Sequence, residues 1–458
     1  MKKQAAILLT SGMLLSLTAC SPAAGTTAAA TTAAETTAPA ATTAATTTAA
    51  ETTTAAATTA AETTTAAAET TTAAATTAAA EERTVTDMSG DAVTITGEVK
   101  SIINLWPAGT SSFFVMGAGD LVDGLAVNNP GTINSWAKLF YPEAGKIPAM
   151  GGTTPSIEEL LKLDPDLVIV HPMTVSSGYA GQIRDAGIPA ININFSTYDT
   201  MMESYSMLGE ALGGEYQEKL NNWCEMITEK QESVRALTAD LAEEDRPVVY
   251  YIAGQADSLT TTMDVNSICA DWTHIAGGTY ALEKMKDPNV TEVTAEEIFA
   301  VDPDIIIVGG IYQHQLVEEL KNTDGWKNLS AVVNDKVYTN PYGAFAWDRF
   351  GLESYFQMDY ALMCIQPELA EANGITRESM TQEVIDFYSV MNGTTLTKEQ
   401  VGYMLDGLEP DGSMADPAAS AGGPGAGMSG TNGQGGRGGA GGQGSAGGNA
   451  GGQGGNRG

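Results

Sequence analysis

The feature that most constrains this chain is a segment that occurs twice. Thr154-Pro-Ser-Ile-Glu158-Glu-Leu-Leu-Lys-Leu-Asp-Pro165-Asp166-Leu-Val-Ile-Val170 is echoed by Val293-Thr-Ala-Glu296-Glu-Ile-Phe-Ala-Val-Asp-Pro303-Asp304-Ile-Ile-Ile-Val308. Each copy puts Ser or Thr two residues before a Glu, then a short amphipathic stretch, then Asp-Pro-Asp, then an all-apolar run. The hydroxyl predicts a helix N-cap and the acids complement the helix dipole. The proline stops the helix, and the β-branched run predicts a strand buried on both faces. Each copy is therefore a helix-turn-strand unit of an α/β sheet, and two copies about 140 residues apart imply two similar lobes.

Between the copies, residues 215–244 carry Tyr216, Leu220, Trp223, Ile227, Val234, Leu237 and Leu241 at helical spacing. About 27 helical residues would span about 40 Å, the width of a domain, so the lobes are expected to hang on one stiff connector. Gly213-Gly214 and Arg246-Pro247 bound it.

The two ends read differently. Lys2 and Lys3 precede an apolar run over residues 5–17, too short to span a bilayer, which predicts a secretory signal. It closes on Leu17-Thr18-Ala19-Cys20, which resembles the lipobox of bacterial lipoproteins and implies lipidation at Cys20. Residues 21–80 are almost only Thr and Ala with scattered Glu. They offer no large side chain to bury against the entropy of ordering, so they predict a flexible tether. From Asp411 the chain turns to Gly, Gln, Asn, Ser and Ala, a second disordered segment with no evident role.

The expected organisation is a signal peptide with lipobox over 1–20, a Thr/Ala-rich tether over 21–83 and an N-terminal lobe over 84–213. An inter-lobe helix over 214–245, a C-terminal lobe with closing helices over 246–410 and a Gly-rich tail over 411–458 complete it. The expected fold class is α/β, two three-layer αβα lobes bridged by one long helix. A net charge of -34, from 56 acids against 22 bases, repels nucleic acid and anionic membrane surfaces. Cys224, Cys269 and Cys364 are dispersed without a CxxC pair, which argues against a zinc ribbon or redox motif and for buried thiols, with one disulfide left open.

Taken in order, these motifs resemble the substrate-binding proteins of the cobalamin, haem and ferric-siderophore importers, whose lobes are joined by one rigid helix. The likeness runs through Thr84-Val-Thr-Asp87-Met-Ser-Gly90, Gly151-Gly152, both repeats and Trp326-Lys-Asn-Leu-Ser-Ala331. The resemblance implies an ABC permease and ATPase as partners, a membrane location through the lipid on Cys20, a monomer, and no intrinsic cofactor. In that family one surface glutamate per lobe docks on the permease, and the matching positions are Glu158 and Glu296. The other reading of both is a first-turn acid serving only the helix dipole.

Ligands of open α/β sheets collect beyond the carboxyl ends of strands, which points to His171, Tyr312 and His314 after the repeat strands and to Trp106 after residues 101–105. Imidazole and phenolate suit iron or hydrogen bonding, and Trp stacks on flat rings. Each histidine can equally be structural. The loop Trp106-Pro-Ala-Gly-Thr110 precedes a predicted helix whose free N–H groups could receive an anionic ligand edge. Residues 340–353, with Tyr342, Trp347 and Arg349, resemble the stretch that closes the cleft in relatives. Arg349 would pair a ligand oxygen or, internally, Asp348 or Glu353.

Few other basic residues lie near the expected cleft, in contrast to many siderophore receptors. That scarcity weakens a highly anionic ligand and leaves haem, a corrinoid, a neutral chelate or a metal oxyanion open; the cargo that the resemblance implies is a metal chelate (ferric siderophore, haem or corrinoid), with a metal ion or oxyanion as the alternative. No nucleophile elbow, P-loop or HExxH motif argues for an enzyme. A surface receptor for sensing or adhesion shares every binding feature.

Overall fold

The computed structural model describes residues 81–416 except 128, 130, 131, 255 and 256. Cys20, the tether up to residue 80 and the tail from 417 lie outside the described residues. A hairpin of β1 (Glu82–Thr86) and β2 (Ala92–Thr96) opens the fold. It starts inside the stretch expected to be tether. Arg83 is the reason: its guanidinium donates to the Ala211 and Gly97 carbonyls and fastens the first strand to the lobe.

Two four-stranded parallel sheets follow. The first contains β3 (Ile102–Asn104), β4 (Val122–Leu125), β5 (Leu167–Val170) and β6 (Ala190–Asn192) in the order β4-β3-β5-β6. The second contains β7 (Val248–Ile252), β8 (Thr279–Tyr280), β9 (Ile305–Val308) and β10 (Val337–Thr339) in the order β10-β9-β7-β8. Numbered within each lobe from one edge, both sheets read 2-1-3-4. The repeat strands β5 and β9 lie inside their sheets and are buried on both faces, as their unbroken apolar runs predict.

The repeats match in atomic detail. Ser156 Oγ accepts from the Glu159 N–H, and Thr294 Oγ1 accepts from the Glu297 N–H while the Glu297 carboxylate accepts in return from the Thr294 N–H. Both short helices, Ile157–Leu163 and Ala295–Val301, end on an aspartate in the left-handed region, Asp164 at φ 51° and Asp302 at φ 48°. The second aspartate of each Asp-Pro-Asp turn reaches the neighbouring strand. Asp166 Oδ2 accepts from the Lys100 and Ser101 N–H groups at the start of β3, and Asp304 Oδ2 accepts from the Val248 N–H at the start of β7.

The connecting helix runs Gly214–Thr238 and buries Leu220, Trp223, Ile227 and Val234. It is shorter than its apolar periodicity suggests. Thr238 Oγ1 donates to the Ile275 carbonyl and Arg246 Nη2 donates to the Thr238 carbonyl, ending the helix and leaving residues 239–245 outside it.

Beyond β10 the chain does not stay with the second sheet. Phe140 stacks on Tyr388 at 4.3 Å, Trp136 Nε1 donates to the Leu408 carbonyl, and Asn392 Nδ2 donates to the Phe114 carbonyl. Trp223 of the connecting helix donates to the Leu352 carbonyl. The segment expected to belong to the C-terminal lobe thus packs on both lobes and on the strut, because helical periodicity shows which face is apolar but not which partner covers it. Among the described residues no helix is long and apolar enough to cross a membrane.

Candidate binding cleft

In both sheets the strand order reverses between the first and third strands of the lobe, where a crevice forms beyond their carboxyl ends. The two crevices are filled differently. In the first lobe, buried Asn104 at the end of β3 shapes the next turn. Its Nδ2 donates to the Trp106 carbonyl and to Thr110 Oγ1, and its Oδ1 accepts from the Trp106 N–H. This turn brings the Trp106 indole to 5.1 Å from the His171 ring, which follows β5. Phe195, beyond β6, lies 4.6 Å away, and Phe350 of the closing segment lies 5.8 Å away. Burial holds the His171 imidazole down at about 4, so near neutrality it is an uncharged ring able to accept or donate one hydrogen bond.

The helix after Trp106 is the short Thr110–Val115, with Thr110, Ser111 and Ser112 buried. Its leading amides are already used: the Gly109 N–H donates to the Trp106 carbonyl and the Thr110 N–H to the Pro107 carbonyl. The tight turn that aims Trp106 thus takes two of the amides at the entry to this helix.

In the second lobe the equivalent crevice is closed by backbone and by a carboxylate. Gly254 follows β7 and Gly309 follows β9, and they approach so closely that a Cβ on Gly254 would stand 1.6 Å from the Gly309 carbonyl oxygen. Asp348 lies over Gly309. Its Oδ2 accepts from Tyr251 OH at 2.6 Å, and its Oδ1 accepts from Arg349 Nε at 2.8 Å. Arg349 Nη2 also donates to the Ala253 carbonyl. Arg349 is 1 % exposed, so it takes the internal partner, and the expectation of a guanidinium facing a ligand is corrected. Trp347 is likewise turned inwards, its ring 4.8 Å from Phe356.

Tyr312 is half-buried where the helix Gln313–Asn322 begins, its N–H donating to the Gly254 carbonyl. His314 Nε2 lies 3.0 Å from the Gly407 carbonyl, so that ring tethers the end of the last helix among the described residues, Lys398–Leu405. The Tyr342 hydroxyl meets Asn134 Nδ2 of the first lobe at 3.4 Å. The structure therefore gathers Trp106 and His171, adds Phe195, Phe350 and Asn104, leaves the Tyr312 side chain half-buried beside the second crevice, and gives His314, Tyr342, Trp347 and Arg349 internal partners. The strand-end rule points equally to Phe195, just beyond β6, whereas nothing local marks Phe350. Among the described residues no three His, Cys, Asp or Glu side chains stand together as a metal cage.

Glu158 and Glu296 are both exposed, each on the first turn of its repeat helix. They occupy equivalent positions on two sheets of identical strand order.

Comparison with known proteins agrees with this architecture. The chain is 27 % identical over 262 residues, 56 % of its own length and 77 % of the relative's, to the uncharacterized ABC transporter substrate-binding lipoprotein YvrC of Bacillus subtilis. It is 29 % identical over 202 residues to the Fe(3+)-citrate-binding protein YfmC of the same organism, 44 % of this chain and only 61 % of that protein. A periplasmic solute binding protein from Veillonella parvula superposes with a TM-score of 0.60 over 72 % of this chain and 99 % of its own, at 22 % identity, a likeness of fold. Residues 124–342, just under half of the chain, match the family described as periplasmic binding protein.

Proposed function

We propose that this chain is the extracytoplasmic substrate-binding subunit of an ABC importer, and that it captures a metal chelate with a flat or aromatic-compatible face. The observation that carries the reading is the asymmetry of the two crevices: Trp106, His171 and Phe350 meet at the switch point of one sheet, while Asp348 plugs the other. Aromatic faces and a neutral imidazole suit an iron citrate or siderophore, haem or a corrinoid, which bring most of their own donors to the metal. The names of YvrC and YfmC support transport and an iron chelate. Glu158 and Glu296 dock on the permease, whose ATPase drives uptake, and Cys20 carries the lipid that keeps the protein at the cell surface. The chain itself performs no chemistry on its cargo.

Tryptophan fluorescence of the purified protein, titrated with ferric citrate, haemin, cobalamin and molybdate, tests this. Saturable quenching by one of the first three is expected, and it should be lost in Trp106→Ala. If none of the three binds, or if binding survives loss of Trp106 unchanged, the cleft reading fails.

A further inference from the structure

The closing segment carries one buried acid that the binding reading does not use. The Glu353 carboxylate is 1 % exposed. One oxygen accepts from the Ala344 N–H at 2.9 Å, the other accepts from the Phe345 N–H at 2.8 Å, and the Tyr388 hydroxyl donates to the first. Gly343 is required beside it, because a Cβ there would stand 1.8 Å from Glu353 Oε1. The turn so held faces two ways. Its Gly343 and Ala344 carbonyls accept from Asn134 Nδ2 of the first lobe at 3.2 and 2.8 Å. Its Phe345 ring packs 6.2 Å from Phe350, which in turn lies against Trp106.

We infer that Glu353 is the positioning residue of the cleft: by fixing the Gly343–Phe345 turn it sets where Asn134 clasps the closing segment and where Phe350 meets Trp106. A carboxylate suits the task because it alone offers two acceptor oxygens to two adjacent amides. Protonation would leave one oxygen as a donor and loosen one amide.

Burial pushes this carboxyl up to about 7, against the opposing pull of the Tyr388 hydroxyl and the Phe345 and Ala344 amides. The titratable groups around it are Tyr388 on the helix Arg377–Met391, Tyr205 on the helix Tyr198–Leu212, and Tyr342 on the closing segment itself. The turn is therefore held by both oxygens above neutrality and by fewer bonds below it.

The role assigned to Glu353 rests on the cleft being the binding site, but optical readouts without ligand decide it. The Trp106 contribution is the difference in emission between the full chain and its Trp106→Phe variant. That difference is expected to step as pH crosses about 7. In Glu353→Gln the step should vanish while the thermal midpoint stays within about 5 °C. Tyr388→Phe, which removes one bond to the ionised form, should move the step to higher pH. Ferric citrate should bind Glu353→Gln about tenfold more weakly than the parent.

A step that persists in Glu353→Gln, or a variant that loses stability with its Trp106 signal unchanged, overturns the inference. Should the Gln variant not fold, the Tyr388→Phe arm decides: an upward shift supports the role and an unmoved step overturns it. Failure of ferric citrate to bind either protein would count against the ligand alone and leave the optical result standing.

Discussion

The residue after β5 is His171 and the residue after β9 is Gly309, the same position in two copies of one unit. In the first copy the side chain joins Trp106. In the second there is none, because the Asp348 carboxylate occupies its place and is held there by Arg349 and Tyr251. Two halves of equal topology thus do unequal work: one packs a buried aromatic cluster at its switch point, and the other anchors the segment that crosses to meet it. Duplication of a fold leaves the chemistry of its strand ends free to diverge, since those residues carry little of the burden of packing the sheet.

The sharpest test of that contrast is substitution at the paired positions. In Gly309→Ala the new Cβ would stand 1.8 Å from Asp348 Oδ2 and 2.7 Å from the Tyr251 hydroxyl. Asp348 cannot retreat without breaking its buried ion pair with Arg349, nor Tyr251 without breaking its hydrogen bond to Asp348, so a loss of about 3 kcal/mol is expected from overpacking. His171→Ala should cost only about 1 kcal/mol, the worth of an aromatic contact. Denaturant titration of both variants measures the difference, and a well-tolerated Gly309→Ala would break the comparison.

A smaller contrast lies at the turns. Asp166 accepts from two backbone amides of β3's approach and Asp304 from a single one before β7. Asp166→Ala should therefore destabilise by about 2 kcal/mol and Asp304→Ala by about 1 kcal/mol. Equal losses would show that the turns are interchangeable after all.

The smallest effect concerns protons. His171 is held below its ordinary value by burial, so the fold favours the neutral ring. Its contribution to stability is complete above the unfolded value near 6.5 and is lost as pH falls towards about 4. Solvent reaches part of the ring and screens the effect. His171→Gln should flatten the acid limb of the stability profile between those values, and an NMR titration of the His171 ring should show its midpoint near 4. A midpoint near 6.5 would remove the ring from the cluster.

Much of this was legible without coordinates where the physics is local. Ser156 and Thr294 cap helices because a hydroxyl three residues before an amide can reach it, and Pro165 and Pro303 end those helices whatever surrounds them. Trp106 and His171 were reachable through the rule that strand ends face the ligand. The rule does not foresee the tether made by His314, nor does the resemblance of residues 340–353 to a cleft-closing stretch foresee the burial of Trp347 and Arg349. Each has the right chemistry for a cleft, and each is taken by another part of the fold: Trp347 by Phe356, Arg349 by the adjacent Asp348 and the distant Ala253 carbonyl, and His314 by the distant Gly407 carbonyl. The connecting helix ends early for the same kind of reason, since Ile275 lies far from Thr238 along the chain.

The sequence by itself determined the two-lobed α/β architecture, the repeated capped unit and its outward glutamates, because periodicity, caps and turns act over a few residues. Only the tertiary structure decided which strand end carries an aromatic cluster and which is plugged by a carboxylate, and that Phe350 packs beside Trp106. Such pairings depend on how separate elements are brought together, and a buried ion pair and a ligand-facing arginine look alike until the neighbouring carboxylate is in view.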